Sequence, residues 1–337
     1  MPSLSRYSSV REPSGVMRKK LSSDKVSPSS PVCLVCGGKV NIAVTGLFDA
    51  RFGAEGRYEV GECASCGLLQ LAPLPSQEAL KELYQRYYNF GGSGRGAYTG
   101  ARRLFFDSVF SRLWSFIDGD ISFYDRKGSG RLLDVGCNEG RGLARYKSNG
   151  FQAEGLELNE KAASTASAAG FTVHTVLLSD FRPAGPFDVV VLSNVLEHVL
   201  DPMELLEDAS RVLKPGGEVW ISCPNASSWQ RTFFSKAWIN WHVPFHTVHF
   251  ADKNVRKLLN AAGFEVKEVR NESPALWFAS SVVSKLFARH GKPTKQMRDA
   301  LLMASLMLFT RGILFPVLWM GNLLGKGDCL VIIARKK

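Results

Sequence analysis

The first thirty residues lack the apolar stretch that a secretory leader requires. They read MPSLSRYSSVREPSGVMRKKLSSDKVSPSS, rich in Ser and Pro and basic, with Glu12 and Asp24 as their acids. Residues 1–30 are therefore expected to form a disordered basic tail. Cysteine is sparse as well: the 337 residues hold seven, four of them in two CxxC pairs. That usage argues against a secreted disulfide framework and for a reducing, cytoplasmic compartment. Acids are outnumbered, 31 Asp and Glu against 42 Lys and Arg, for a net charge of +11. Such a balance favours anionic surroundings without choosing among nucleic acid, membrane headgroups and phosphorylated substrates. With 45% hydrophobic and 22% charged residues the chain is globular in composition, long enough for one large domain and a small one.

The cysteines that are present are grouped. CLVCGG supplies Cys33 and Cys36, and CASCGL supplies Cys63 and Cys66, with 26 residues between the pairs. Four thiolates so spaced match tetrahedral zinc ligation, and the glycine after each pair lets backbone amides turn toward the sulfurs. Neither pair opens a helix after a strand, as a redox CxxC would. Residues 31–75 are read as a zinc ribbon whose filled coordination shell makes the Zn2+ structural. From Ser76 a helix carries Leu80, Leu83 and Tyr84 on one side, and Ala101–Tyr124 is a second amphipathic helical region. Between them GGSGRGAYTG, residues 91–100, marks a boundary. Residues 76–129 thus form a helical linker or cap.

From Gly130 onward short apolar runs alternate with helical stretches, the pattern of an α/β doubly wound parallel sheet. RLLDVGC, FQAEGLELN, FTVHTVLL, FDVVVLSNV, EVWISCPN, FEVKEVR and DCLVIIARK read as strands, and MELLEDASRVLKPGG as a helix with its glycine stop. After the first strand, Asp134, Gly136 and Gly140 form a D-x-G-x-x-x-G loop that leads into a helix N-terminus. Glycines permit close backbone approach, and the helix end offers free amides. Asn138 tolerates the left-handed region, so it can replace a central glycine. Cys137 reads as a small side chain lining the loop. Glu157, 17 positions beyond Gly140, ends the second strand, where an acid can accept both ribose hydroxyls of an adenosine-containing ligand. Loop and acid together fit a nicotinamide or an S-adenosylmethionine (SAM) cofactor.

FDVVVLSNVLEHVLDP, followed by LKPGGEVWISCPN and HTVHFADKNVRKLLNAAGFEV, resembles the class I SAM-dependent methyltransferases. That resemblance covers about residues 130–335 of the 130–337 domain and implies a Rossmann-like seven-stranded sheet in order 3-2-1-4-5-7-6, with the last strand antiparallel. It implies that Asp134, Gly136, Cys137, Asn138 and Gly140 face the methionine part of SAM and that Glu157 holds the ribose. Asp180 would lie beside the adenine, with Ser193 and Asn194 closing the methionine side.

A four-cysteine module ahead of such a domain, with a loop reading GCNEG, is similar to bacterial methyltransferases of sugar and polysaccharide biosynthesis. In the sugar C-methyltransferases of that group a Tyr-His-Glu-His run carries the base; here the run is VPFH, leaving His246. O-methylation of a sugar hydroxyl, which needs one base, is the expected activity. His246 is the candidate base and His198 the second. Glu197 and His198 are similar to the Glu-His pair of quinone O-methyltransferases, where an acid three residues earlier helps bind a metal; Asn194 stands there here. His242, His246 and His249 have no carboxylate among them and are not expected to ligate a metal. The alternatives kept open are an RNA methyltransferase, a sugar C-methyltransferase, a quinone-type O-methyltransferase and a non-catalytic SAM-binding scaffold. A nucleic-acid partner is not expected, since the basic residues are scattered and no aromatic–basic platform accompanies them.

About 57 residues, 271–327, separate the last two strands where a short hairpin would suffice. Two readings of this helical insertion stand. It forms buried helices that roof the acceptor pocket, or residues 275–324 make a peripheral contact with the inner face of the membrane. The second would suit a lipid-linked glycan acceptor, the first any small-molecule acceptor.

Overall fold

The computed structural model describes residues 31–87 and 119–337. The basic tail, the boundary at 91–100 and most of the second helical region lie outside the described residues. The described end of that region is not helical. Asp120 instead folds residues 119–125 into a turn, its carboxylate accepting the amides of Ser122, Tyr124 and Asp125.

Strand β4 (Arg131–Val135) lies inside a sheet that also contains β5 (Gln152–Leu156), β6 (Thr172–His174), β7 (Phe187–Ser193), β8 (Leu213–Pro224), β10 (Phe264–Glu272) and β11 (Cys329–Lys336). Their order is β10-β11-β8-β7-β4-β5-β6, the 3-2-1-4-5-7-6 arrangement when counted along the chain. β4, β5, β6, β7 and β8 run parallel, while β11 pairs antiparallel with both β8 and β10. Successive side chains point to opposite faces, and because both faces are covered the central strands are buried along most of their length. Leu133, Val190, Ile221 and Ile332 belong to the core of one face, and Leu132, Val191, Trp220 and Ile333 to that of the other.

Helices α2 (Arg141–Ser148), α3 (Glu160–Ala168), α4 (Pro202–Val212), α5 (Trp229–Phe234) and α6 (Asp252–Ala261) fill the crossovers and the loops before β10. Asn159 caps α3 and Asp201 caps α4, each side chain accepting two amides of the first turn. Two sequence boundaries shift. Leu213–Gly217, read as the end of a helix, already belongs to β8, because Pro215 cannot continue a helix and Leu213 pairs with Phe187. The third strand is three residues long, its expected second half being irregular backbone that leads into a turn at Leu178.

The cysteine module builds a second sheet from β1 (Val40–Leu47), β2 (Tyr58–Cys63) and β3 (Leu69–Leu71), followed by α1 (Gln77–Tyr87). Its fourth strand, β9 (Val248–His249), is donated by the C-terminal half, giving the order β1-β2-β3-β9. Pro31–Lys337 is accordingly one unit. Between β10 and β11 come α7 (Ala275–Phe287), α8 (Ala300–Gly312) and α9 (Phe315–Leu323). The insertion starts after Glu272, two residues later than expected, because β10 continues to pair with β11 up to Cys329. Helix α7 buries most of one side, whereas α8 buries Met303, Met307 and Thr310, and α9 Leu318 and Gly321. Among the described residues no single helix is long and apolar enough to cross a membrane; α8 and α9 pass that test together but are bent by 67°.

Candidate active site

The turn after β4 is built from left-handed residues. Gly136 has φ 75°, Asn138 φ 51° and Gly140 φ 79°, so Asn138 takes the conformation a glycine would otherwise supply. Asn138 N donates to Glu157 Oε2 at 2.9 Å, and Asn159 N donates to Glu157 Oε1 at 2.7 Å. Glu157 thereby ties the loop to the start of α3, and each oxygen keeps a lone pair for a ligand hydroxyl. Asp134 is 6% exposed; burial and then the charge of Glu157 push its carboxyl up to about 7. A Cβ at Gly142, in the first turn of α2, would come within 2.6 Å of Asp134 Oδ2, so the helix approaches the acid only because that residue is glycine.

Cys137 turns inward. Its side chain lies on Gly155 of β5, where a Cβ would collide with Sγ and sit 2.9 Å from the Cys137 Cβ. Burial pushes its thiol up, as does the charge of Asp134 and Glu157. Ser193 ends β7 with Oγ 3.0 Å from Ser222 Oγ, and Asn194, left-handed at φ 54°, donates its amide to Ser222 O at 2.8 Å. Asp180 sits in the turn after β6, its amide donating to Leu177 O at 3.1 Å. The loop residues, Asp134 and Glu157 are thus assembled directly, Ser193 and Asn194 border them at the end of the adjacent strand, and Asp180 stands in a loop of its own.

A second constellation forms where the front module meets the sheet. Helix α1 brings Tyr84, whose hydroxyl lies 2.6 Å from His198 Nδ1, and Phe245 O lies 3.1 Å from the same nitrogen. His246 Nδ1 donates to Asn240 O at 2.9 Å, which leaves its Nε2 lone pair directed at His242 Nδ1, 3.3 Å away, and 4.0 Å from Glu197 Oε1. The rings of His198 and His246 meet edge to face with centroids 4.5 Å apart. Glu197 is 1% exposed and both its carboxyl oxygens are buried without a hydrogen-bond partner among the described residues. Burial pushes it up to about 8, and burial pushes His198 down to about 4 and His246 well below the usual imidazole range. Burial thus favours the neutral form of each of these groups.

Glu197, His198 and His246 offer ligand atoms that all lie within 4.8 Å of one another. One carboxylate with orphaned oxygens and two imidazoles can hold a divalent cation. His249 is not part of this set, its Nε2 donating to Trp241 O at 3.1 Å. Both expected candidates, His198 and His246, are thus brought together. Tyr84 was missed as a site residue, because on α1 its spacing from Leu80 reads only as the apolar side of a helix.

The four module cysteines form the other cluster. Cys33 and Cys66 Sγ are 3.5 Å apart, as are Cys36 and Cys63 Sγ, and all four sulfurs lie within 4.8 Å of one another. Gly37 and Gly67 have φ 69° and 70°, and the turns they close aim Val35 N at Cys33 Sγ and Cys66 N at Cys63 Sγ, both at 3.5 Å. Burial raises Cys63, but the Cys66 and Ser65 amides and the neighbouring thiols outweigh it and bring it down to about 6. Burial pushes Cys66 up to about 12 beside the other three sulfurs. Four thiols that cannot all ionise together in the absence of a cation fit Zn2+, which would hold them as thiolates.

Residues 105–269 match the methyltransferase domain family. The chain is 31% identical over 163 residues to a protein of Mycolicibacterium smegmatis named "Probable S-adenosylmethionine-dependent methyltransferase", an overlap of 48% of this chain and 60% of that one. It is 34% identical over 119 residues to the ubiquinone biosynthesis O-methyltransferase of Caulobacter vibrioides, 30% of this chain and 46% of that one. The chain thus spans about half the length of the curated relatives it matches. A solved SAM-dependent methyltransferase of Mesorhizobium loti is similar at 19% identity and a TM-score of 0.42, over 65% of this chain and all of that one. Sheet order and family match agree: residues 105–269, which match the methyltransferase domain family, contribute to a seven-stranded sheet of the order 3-2-1-4-5-7-6.

Proposed function

We propose that the protein transfers the methyl group of SAM to a hydroxyl oxygen, on a sugar of a glycan or lipid-linked glycan, with Zn2+ held by the four module cysteines as a structural ion. The observation that carries the reading is Glu157 bonded to the left-handed loop at Asn138. In this reading Glu157 accepts the ribose hydroxyls, buried Asp134 and the loop amides hold the methionine end, and Ser193 and Asn194 close it. Asp180 reaches the adenine. Bound SAM would supply a sulfonium-activated methyl that an acceptor oxygen takes by in-line displacement.

The chain's own work is to align the acceptor and receive its proton. An oxygen forming its new bond to carbon becomes strongly acidic, so a buried imidazole of low basicity suffices. His246 Nε2, kept unprotonated by the Asn240 carbonyl on the other side of the ring, is the acceptor of that proton. His198, oriented by Tyr84 and Phe245 O, is the second.

One observation favours a second reading, a quinone-type phenolic hydroxyl. Glu197 and His198 stand as in that group, and several relatives are named ubiquinone biosynthesis O-methyltransferases. Glu197, His198 and His246 would then hold a divalent cation. Incubation with methyl-tritiated SAM and, in parallel, a lipid-linked glycan fraction, a catechol and bulk RNA separates the readings. Label in the glycan fraction that is lost with His246→Gln supports the first. Label in the catechol that a chelator abolishes supports the second, and label in RNA alone refutes both.

A further inference from the structure

The surface of α8 and α9 is unlike the rest of the molecule. Leu301, Leu308, Phe309, Ile313, Trp319 and Leu323 are each more than half exposed, and Leu301 reaches 79%. Solvent is a poor match for so many large apolar side chains on one pair of helices. Leu286 and Phe287 at the end of α7 and Phe233 of α5 are exposed as well. These helices are joined, since α7 and α8 share a core of Ala275, Ala279, Val283, Met303 and Met307.

Charge along this insertion is almost all of one sign. From Ser273 to Gly327 the chain carries Lys285, Arg289, Lys292, Lys295, Arg298, Arg311 and Lys326 against the single acid Asp299. Asp299 is used as the cap of α8, accepting the amides of Leu301 and Leu302. Arg311, the one cation within the apolar pair, donates to Ser273 O at 2.6 Å. The other cations precede or follow the pair along the chain, and Lys285 lies over the exposed ring of Phe233, 5.2 Å from its centroid.

Length and topology limit what such a surface can enter. Thirteen and nine residues give helices of about 20 and 13 Å, each short of a hydrocarbon core of about 30 Å, and the 67° bend keeps them from adding up. β10 before the insertion and β11 after it pair with each other, so the chain returns to the side it left. A second copy of the chain is a poor occupant, because a two-fold contact would bring two cationic rims together.

We propose that the bent α8–α9 pair, with the exposed ends of α7 and α5, is a monotopic docking surface for a bilayer rich in anionic lipid. The apolar side chains enter the acyl boundary while the flanking lysines and arginines meet the headgroups. The proposal stands on this surface alone and does not depend on the acceptor assigned above.

Flotation of the full chain with vesicles tests it. The protein should float with 7:3 phosphatidylcholine–phosphatidylglycerol vesicles at low salt, and much less with pure phosphatidylcholine or in 0.5 M NaCl. Each flanking cation should be worth about fivefold in partitioning, so Lys292→Glu with Lys295→Glu should weaken it by at least about tenfold. Phe309→Asp with Trp319→Asp and Leu323→Asp, all at exposed positions, should abolish flotation while leaving the melting temperature and zinc content unchanged. Failure of the wild type to float, or flotation undiminished in the apolar variant, would overturn the proposal. So would a wild-type dimer that the same variant converts to a monomer with no loss of vesicle binding.

Discussion

Replacing Cys36 with Ser should strip the front module of its metal and loosen the site behind it. A tetrahedral ion with Zn–S bonds of about 2.3 Å sets its sulfurs about 3.8 Å apart. The two pairs here stand at 3.5 Å, so an ion needs only small outward movements. In isolated zinc fingers the metal supplies about 10–16 kcal/mol, the whole of folding. Here the module has other support. Cys33 and Cys63 lie in the same core as Val248 and Phe250, Asn254 Nδ2 donates to Cys66 O at 2.7 Å, and β3 pairs with β9. The cost should therefore fall near that of the larger single substitutions, about 4–5 kcal/mol, or about 6–8 °C of melting temperature at this size. Elemental analysis with a thermal melt checks it: one zinc per wild-type chain, none in Cys36→Ser, and an unchanged content in Cys137→Ser. A metal-free wild type with four freely titrating module thiols, melting the same with and without chelator, would refute the reasoning.

Three further outcomes follow from the loop and the strand beside it. Asp134 titrates near 7, raised first by burial and then by Glu157, and its ionised form suits a ligand carrying ammonium and sulfonium charge. SAM affinity should rise as pH passes from 6 to 8, and Asp134→Asn should flatten that rise in a titration series. In the ligand-free protein the same group, raised above its unfolded value of 3.8, contributes stability that is lost as pH rises through 7. Asp134→Asn should accordingly melt above wild type at pH 8. Gly155→Ala should cost about 1–3 kcal/mol by overpacking against Cys137, with recovery in the Gly155→Ala, Cys137→Gly double variant by denaturant unfolding. Equal stability of Gly155→Ala and wild type would remove Cys137 from that contact.

The seven-stranded sheet was legible because its parallel strands are buried on both faces and read as apolar runs such as LLDV and VVVL. The loop was legible because Gly136, Asn138 and Gly140 occupy left-handed positions that few residue types accept. What the sequence hid was non-local. Nothing in HTVHF indicates that Val248 and His249 complete the sheet of a module some 180 residues earlier, since two residues carry no periodicity. Nor does Tyr84, 114 positions from His198, advertise the 2.6 Å contact its helix creates. Glu197 is similar: the Glu-His pair was visible, but that its carboxyl oxygens are buried without partners follows only from folding. Boundaries moved where local geometry overrode pattern, as ahead of Pro215, where α4 stops at Val212 and β8 begins at Leu213.

The central claim is tested most directly by titrating SAM calorimetrically into the zinc-loaded wild type and Glu157→Ala. Glu157 offers charge-assisted hydrogen bonds from a partly buried position, so its loss should cost about 1.5–3 kcal/mol, or roughly 10- to 150-fold in affinity. The account predicts one saturable site per chain in the wild type and that weakening in a variant of unchanged zinc content. No binding by the wild type, or equal binding by both, would contradict it.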